Sequence, residues 1–210
     1  NPTGAQAPRG FLQRAIDLAH EHHFAIVQDF AYAGLGVDAQ QISILSLPGA
    51  FDVAVEVCSL SKMYAMAGWR AGFIAGNDDI VSHVKQYHYQ MGSMVTSSIQ
   101  DAGTVALLSD QSCVAELAER YASRREIVAG GLREVGLDVF DSDGGIYAWV
   151  HAPEDQTGEQ FADMLLERAA VAALPGMCFG KVGKDYVRFS LLKSEDQLRE
   201  AVRRVAAVLA

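Results

Sequence analysis

Ser59-Leu-Ser-Lys-Met-Tyr-Ala-Met-Ala-Gly-Trp-Arg-Ala-Gly72 is the stretch on which the reading of this chain turns. It opens where a short apolar run, Val53-Ala-Val-Glu-Val57, has just ended. It closes on a second run, Ala71-Gly-Phe-Ile-Ala-Gly76. Both runs have the pattern of buried strands. Lys62 therefore falls just past a strand end, in a loop of small and apolar residues. Desolvation there would disfavour the ammonium. The neutral amine is the form that makes a Schiff base with an aldehyde. Ser59, Ser61 and Arg70 flank it, and hydroxyls with a guanidinium suit a phosphate group. Taken alone, a motif this short also fits a surface lysine in a Gly-rich turn.

Working back from this segment, Phe24-Ala-Ile-Val-Gln-Asp29 reads as a buried parallel strand ending in a carboxylate. A helix from about Pro8 to His22 precedes it, with Phe11, Leu12, Ile16 and Leu18-Ala19 at helical spacing. A Gly-rich loop from Ala33 to about Asp52 follows. Asp29 is a strand-end carboxylate or cap on one reading. On the other it pairs with a pyridinium nitrogen and holds it protonated, with Tyr32 donating to a ring oxygen. Asn1-Pro-Thr-Gly4 is a turn-forming cluster, an unusual place for a domain to begin. This suggests that a longer protein has been cut here.

Working forward, the texture changes after Asp79. Residues 79–94, 97–109 and about Cys113 to Val135 read as helices, the last stopped by Gly136. Leu137–Phe140 and Ile146–His151 read as strands. Thr157-Gly-Glu-Gln160 and Ser194-x-x-Gln197 are expected capping boxes for two further helices. Tyr186-Val-Arg-Phe-Ser-Leu-Leu192 alternates, with Val187, Phe189 and Leu191 on one face and Arg188 and Ser190 on the other. Arg188 is either an outward charge on a half-exposed strand or a bidentate partner for a carboxylate. The pattern is α/β in the first part and α+β in the second.

The composition narrows the class. Half of the 210 residues are hydrophobic, so the chain can bury a sizeable core. Lys and Arg number 17 against 26 Asp and Glu, a formal net charge of -9, which argues against nucleic acid or a membrane surface as partner. No apolar run reaches membrane-span length. Three scattered cysteines, Cys58, Cys113 and Cys178, form no CxxC pair, so neither a disulfide framework nor a zinc site is indicated and a reducing cytoplasm is the default compartment. His20-Glu-His-His23 lacks metal-site spacing and suits a helix C-terminus. The Met and aromatic positions at 87–94 read as core or interface, and Arg120–Arg125 as a solvated helix face.

Asn1-Pro-Thr-Gly4, Asp29-x-x-Tyr32, Ser59-x-Ser-Lys62, Arg70 and Arg188, in this order, resemble the fold-type I aminotransferases that use pyridoxal 5'-phosphate, most closely class I/II. Leu174-Pro-Gly-x-x-Phe-Gly180 and Tyr186-Val-Arg-Phe-Ser190 fit that family's C-terminal lobe. The resemblance covers essentially the whole chain. It implies part of the large domain of the aspartate aminotransferase-like fold over residues 1–95. Connecting helices and the α+β small domain would follow over 96–210. It implies transamination of an amino acid with a 2-oxo acid. Lys62 would carry the Schiff base and then move the proton. Asp29 would pair with the pyridine nitrogen, and Asn1 and Tyr32 would bond the phenolic oxygen. Ser59 and Arg70 would bind the phosphate with help from Ser61, and Arg188 would take the substrate α-carboxylate. No metal is implied.

The resemblance also implies an N-terminal half preceding Asn1 and a homodimer at full length. Met91-Gly-Ser-Met-Val-Thr-Ser-Ser98 offers no arginine for a distal carboxylate, which disfavours one mode of aspartate recognition. Two alternatives stand beside transamination. One is a lyase of the same fold that cleaves carbon–sulfur bonds, since the cofactor sets the chemistry and the pocket selects the bond. The other is an inactive fragment that only binds a partner.

Overall fold

The structure, a computed structural model, describes residues 1–36, 41–92 and 94–210. Residues 37–40 of the expected Gly-rich loop and residue 93 of the Met91–Ser98 stretch lie outside the described residues. The chain folds as two compact units. One is Gln6–Leu117. The other is Ala118–Ala210 together with Asn1–Ala5.

In the first unit, α1 (Arg9–His22) buries Leu12, Ile16 and Ala19, a stripe of helical spacing. Phe11, expected on that stripe, is 65% exposed. His20 and His22 lie in the last turn, where the dipole favours imidazole, and left-handed His23 closes the helix by donating to the Ala19 carbonyl. β1 (Ile26–Asp29) and β2 (Ala54–Ser59) pair in parallel, with Asp29 opposite Val57. The short helix α2 (Ala50–Val53) leads directly into β2. β3 (Gly72–Gly76) runs antiparallel on the other side of β2, so β2 is central. Gly72 is needed for that close pass: a Cβ there would sit 2.5 Å from the Cys58 carbonyl oxygen.

Leu12, Ile16, Ile44, Leu47, Ala50 and Ala54 form this unit's core cluster. Gln28 and Glu56, side by side on β1 and β2, hold the chain above them. Gln28 accepts from the Ile44 amide and donates to the Ile42 carbonyl, and Glu56 accepts from the Leu45 amide. After β2 comes one short turn of helix, α3 (Leu60–Met63). Beyond β3 lie α4 (Asp78–Gln90) and α5 (Ser97–Leu108). Among its described residues α4 buries none, and Tyr87, Tyr89, Met91 and Met94 are all more than 60% exposed. Of the core-or-interface reading of 87–94, the core half is therefore not met among the described residues.

The second unit begins within α6 (Ser112–Arg125). The expected unbroken helix to Val135 is interrupted by a π turn, Glu126–Gly130, before α7 (Gly131–Glu134). An antiparallel sheet follows in the order β4 (Tyr147–His151), β6 (Tyr186–Ser190), β5 (Leu174–Pro175). The expected strand at 137–140 is reduced to a single bridge between Val139 and Val150. Helices α8 (Gly158–Ala169) and α9 (Glu195–Leu209) both open on full capping boxes, Thr157 with Gln160 and Ser194 with Gln197. Phe161, Leu165, Val187, Leu191 and Val205 are fully buried between helices and sheet. Among the described residues no helix is long and apolar enough to cross a membrane.

Candidate active site

The candidate site residues divide between the two units. Asp29, Tyr32, Ser59, Ser61, Lys62 and Arg70 belong to the first, and Asn1 and Arg188 to the second.

In the first unit the candidate side chains lie at or just beyond the ends of β1 and β2. Parallel strands present their C-terminal ends on one side of a sheet, which is where α/β proteins hold ligands. Asp29 is the last residue of β1 and Ser59 the last of β2. Beyond Asp29 the chain turns at once. The Phe30 amide donates to the Val57 carbonyl at 2.9 Å, and the Ala31 amide to Asp29 Oδ1 at 3.1 Å. This turn brings Tyr32 back under the next strand end, with Lys62 Nζ 5.6 Å from the Tyr32 ring centroid. An ammonium at that distance is attracted by the ring face.

Lys62 is placed by α3. Ser59 caps that turn, its Oγ accepting from the Ser61 amide at 3.2 Å. Ser61 is buried and Lys62 half-buried. Tyr64, two residues on, donates to Gln111 Oε1 at 2.7 Å, and Gln111 in turn donates to the Ala106 and Ser109 carbonyls. This fastens the lysine turn to the end of α5. Burial pushes the Tyr64 phenol up. Ala65 and Arg70 both adopt positive φ, 53° and 55°, a conformation that non-glycine residues avoid. Arg70 is exposed and donates one hydrogen bond to the Ala67 carbonyl at 3.0 Å.

In the second unit Arg188, on β6, lies against two aromatic rings. Its guanidinium carbon is 3.9 Å from the Tyr147 ring centroid and 4.7 Å from that of Phe179. Its Nη1 donates to Asn1 Oδ1 at 2.8 Å. The alternation of Tyr186–Ser190 predicted the face on which Arg188 lies, but Tyr147 and Phe179 did not figure among the sequence candidates. Alternation within Ile146–His151 was the available signal for Tyr147.

The Arg120–Arg125 segment departs from the expected solvated face. Arg124 and Arg125 are partly buried, donating to the Leu191 and Gly145 carbonyls, and the Nε of each is buried without a hydrogen-bond partner. Burial lowers the Arg125 pKa. Among the described residues no group of three or more His, Cys, Asp or Glu side chains could hold a metal ion.

The fold is that of the aspartate aminotransferase-like transferases. An aminotransferase structure from Staphylococcus aureus superimposes with a TM-score of 0.94 at 35% identity, over 100% of this chain and 56% of that one. The chain belongs to the aminotransferase class I and II family, whose model matches residues 1–205. It is 43% identical over 206 residues to the L-glutamine–4-(methylsulfanyl)-2-oxobutanoate aminotransferase of Bacillus subtilis, covering 98% of this chain and 52% of that protein. It is 39% identical to the glutamate-pyruvate aminotransferase of Escherichia coli, covering 99% and 52%. The chain thus spans about half the length of the curated relatives it matches. Aminotransferases of this family depend on pyridoxal phosphate. The donors at the strand ends fit that group chemically: an amine for an aldehyde, hydroxyls and a guanidinium for a phosphate, and a carboxylate for a ring nitrogen.

Proposed function

We propose that the protein to which this chain belongs transfers an amino group between an amino acid and a 2-oxo acid, using pyridoxal phosphate held at the strand ends. The supporting observation is Lys62 Nζ over the Tyr32 ring, beside the strand termini that carry Asp29 and Ser59. When bound, the cofactor supplies an aldehyde for amines and a ring that draws electrons from the substrate α-carbon. The chain's own residues bind, orient and move the proton. Lys62 would hold the cofactor through Nζ and later move the proton at the substrate α-carbon. Asp29 would keep a proton on the ring nitrogen by its opposite charge. Tyr32 and Asn1 would donate to the phenolic oxygen. Ser59, Ser61 and Arg70 would take the phosphate, and Arg188 the substrate α-carboxylate in the bidentate manner of guanidinium groups.

The same reading takes residues 1–95 as part of the cofactor-binding large domain. Residues 96–210 then form connecting helices and small domain. It places the protein in the cytoplasm as a homodimer at full length, with neither nucleic acid nor membrane as partner. The aminotransferase names of the relatives support transfer over carbon–sulfur cleavage.

Titrating the purified chain with pyridoxal phosphate tests the cofactor site. A visible absorbance band that bleaches with an amino acid and is lost in Lys62→Ala is the expected result. A band of equal strength in Lys62→Ala would refute the assignment. Product analysis then separates the chemistries: a keto acid and a new amino acid, or ammonia and a thiol.

A further inference from the structure

We propose that Tyr147 and Phe179 are positioning residues that hold the Arg188 guanidinium by its faces and so leave its edge available to a carboxylate. The inference rests on the reading of Arg188 as the carboxylate-binding residue.

The sheet brings the parts together. Arg188 on β6 lies directly opposite Trp149 on β4, and Tyr147 is two residues from Trp149 on the same face. Phe179 arrives from the turn after β5. That turn is fastened on Trp149. The Phe179 ring meets the indole edge-on, with centroids 5.7 Å apart at 87°. The indole is itself stacked on Tyr186, 5.1 Å away and within 5° of parallel. A Cβ on Gly176 would lie 2.6 Å from Trp149 Cη2, so the turn closes over the indole only because glycine stands there.

The geometry has a chemical consequence. A guanidinium is planar, and all its N–H donors lie in that plane. Aromatic rings attract it through its π faces and do not compete for those donors. One in-plane donor, on Nη1, is given to Asn1 Oδ1. A guanidinium held this way is restricted in rotation yet keeps its rim for a bidentate acceptor. A flexible arginine would lose that freedom on binding, so holding it beforehand favours the complex.

The test uses the 210-residue chain and propionate as probe, following the Arg188 side-chain Nε–H resonance by NMR. In the free protein, ring currents from Tyr147 and Phe179 are expected to move that resonance upfield. Phe179→Leu and Tyr147→Leu should each shift it back. They should also weaken propionate binding on the order of 3- to 10-fold, from the loss of one ring contact. Tyr147→Phe, which keeps the ring, should behave as the parent. Wild-type shift and wild-type propionate affinity in both leucine variants would overturn the proposal. Arg188→Lys tells its failure from that of the underlying reading. If propionate binds equally well to Arg188→Lys, Arg188 is not the carboxylate site. The free-protein shift in the leucine variants then still decides whether the rings hold the guanidinium.

Discussion

Lys62 holds its Nζ 5.6 Å from the centre of the Tyr32 ring, bringing together two residues that follow different parallel strands. The contact exists because β1 and β2 end side by side and each is followed at once by a tight turn. Removing the Tyr32 ring should therefore loosen the lysine without unfolding the sheet. Tyr32→Leu is expected to weaken pyridoxal phosphate binding about 2- to 10-fold, the worth of the one hydrogen bond its hydroxyl would give the cofactor's phenolic oxygen. Tyr32→Phe tests the ring apart from the hydroxyl. The measurement is the absorbance titration, with Lys62→Ala as the baseline.

Cys58, on β2 one residue before Ser59, should be chemically inert. Burial, with a smaller contribution from the Glu56 carboxylate, pushes its thiol up to about 11. Alkylation needs the thiolate. At pH 8 iodoacetamide should modify exposed Cys113 and Cys178 while sparing Cys58 in the folded chain. Peptide mass mapping before and after denaturation reads this directly. Labelling of Cys58 at the rate of the other two would contradict it.

Leu165 and Leu166 are neighbours on α8, but Leu165 is fully buried and Leu166 is 56% exposed. Leu165→Ala should cost about 2–5 kcal/mol, the range for emptying a leucine site in a packed core. Leu166→Ala should stay within about 0.5 kcal/mol. Urea unfolding of the two variants separates them.

Acid should weaken the last helix through Glu200. Hydrogen bonds from Arg203 first, and then Arg204, hold its carboxyl down to about 2, against 4.5 for the unperturbed group. A depressed carboxyl stabilises the fold fully above its unfolded value. That stability is lost as pH falls through the folded one. The loss therefore falls between pH 4.5 and 2. It should be small and salt-sensitive, because the ions are at the surface. Thermal midpoints across this window should fall less steeply for Glu200→Gln.

Much of this was readable in the residues. Both capping boxes were, because a cap joins a side chain to an amide three residues away. The strand runs before Asp29 and Ser59 were too, as short apolar runs, but the burial expected of the first was not met: β1 buries no residue in this chain, and Val27 is 64% exposed. The π turn at Glu126–Gly130 was not, as the apolar face of α6 continues through it. Nor was the burial of Arg124 and Arg125, whose carbonyl partners, Leu191 and Gly145, are distant in sequence. The segment 137–140 has strand composition, yet its only pairing among the described residues is one bridge.

The sequence by itself determined the family, the lysine turn and the order of the candidate residues. These rest on adjacent residues and on spacings of a few positions. Only the tertiary structure decided that Tyr147 and Phe179 flank Arg188 and that Asn1 accepts its hydrogen bond. Those partners come from a strand, a turn and the chain's first residue. Strand pairing and the closure of a glycine turn over Trp149 bring them within reach, and such long-range packing leaves no local periodicity in the sequence.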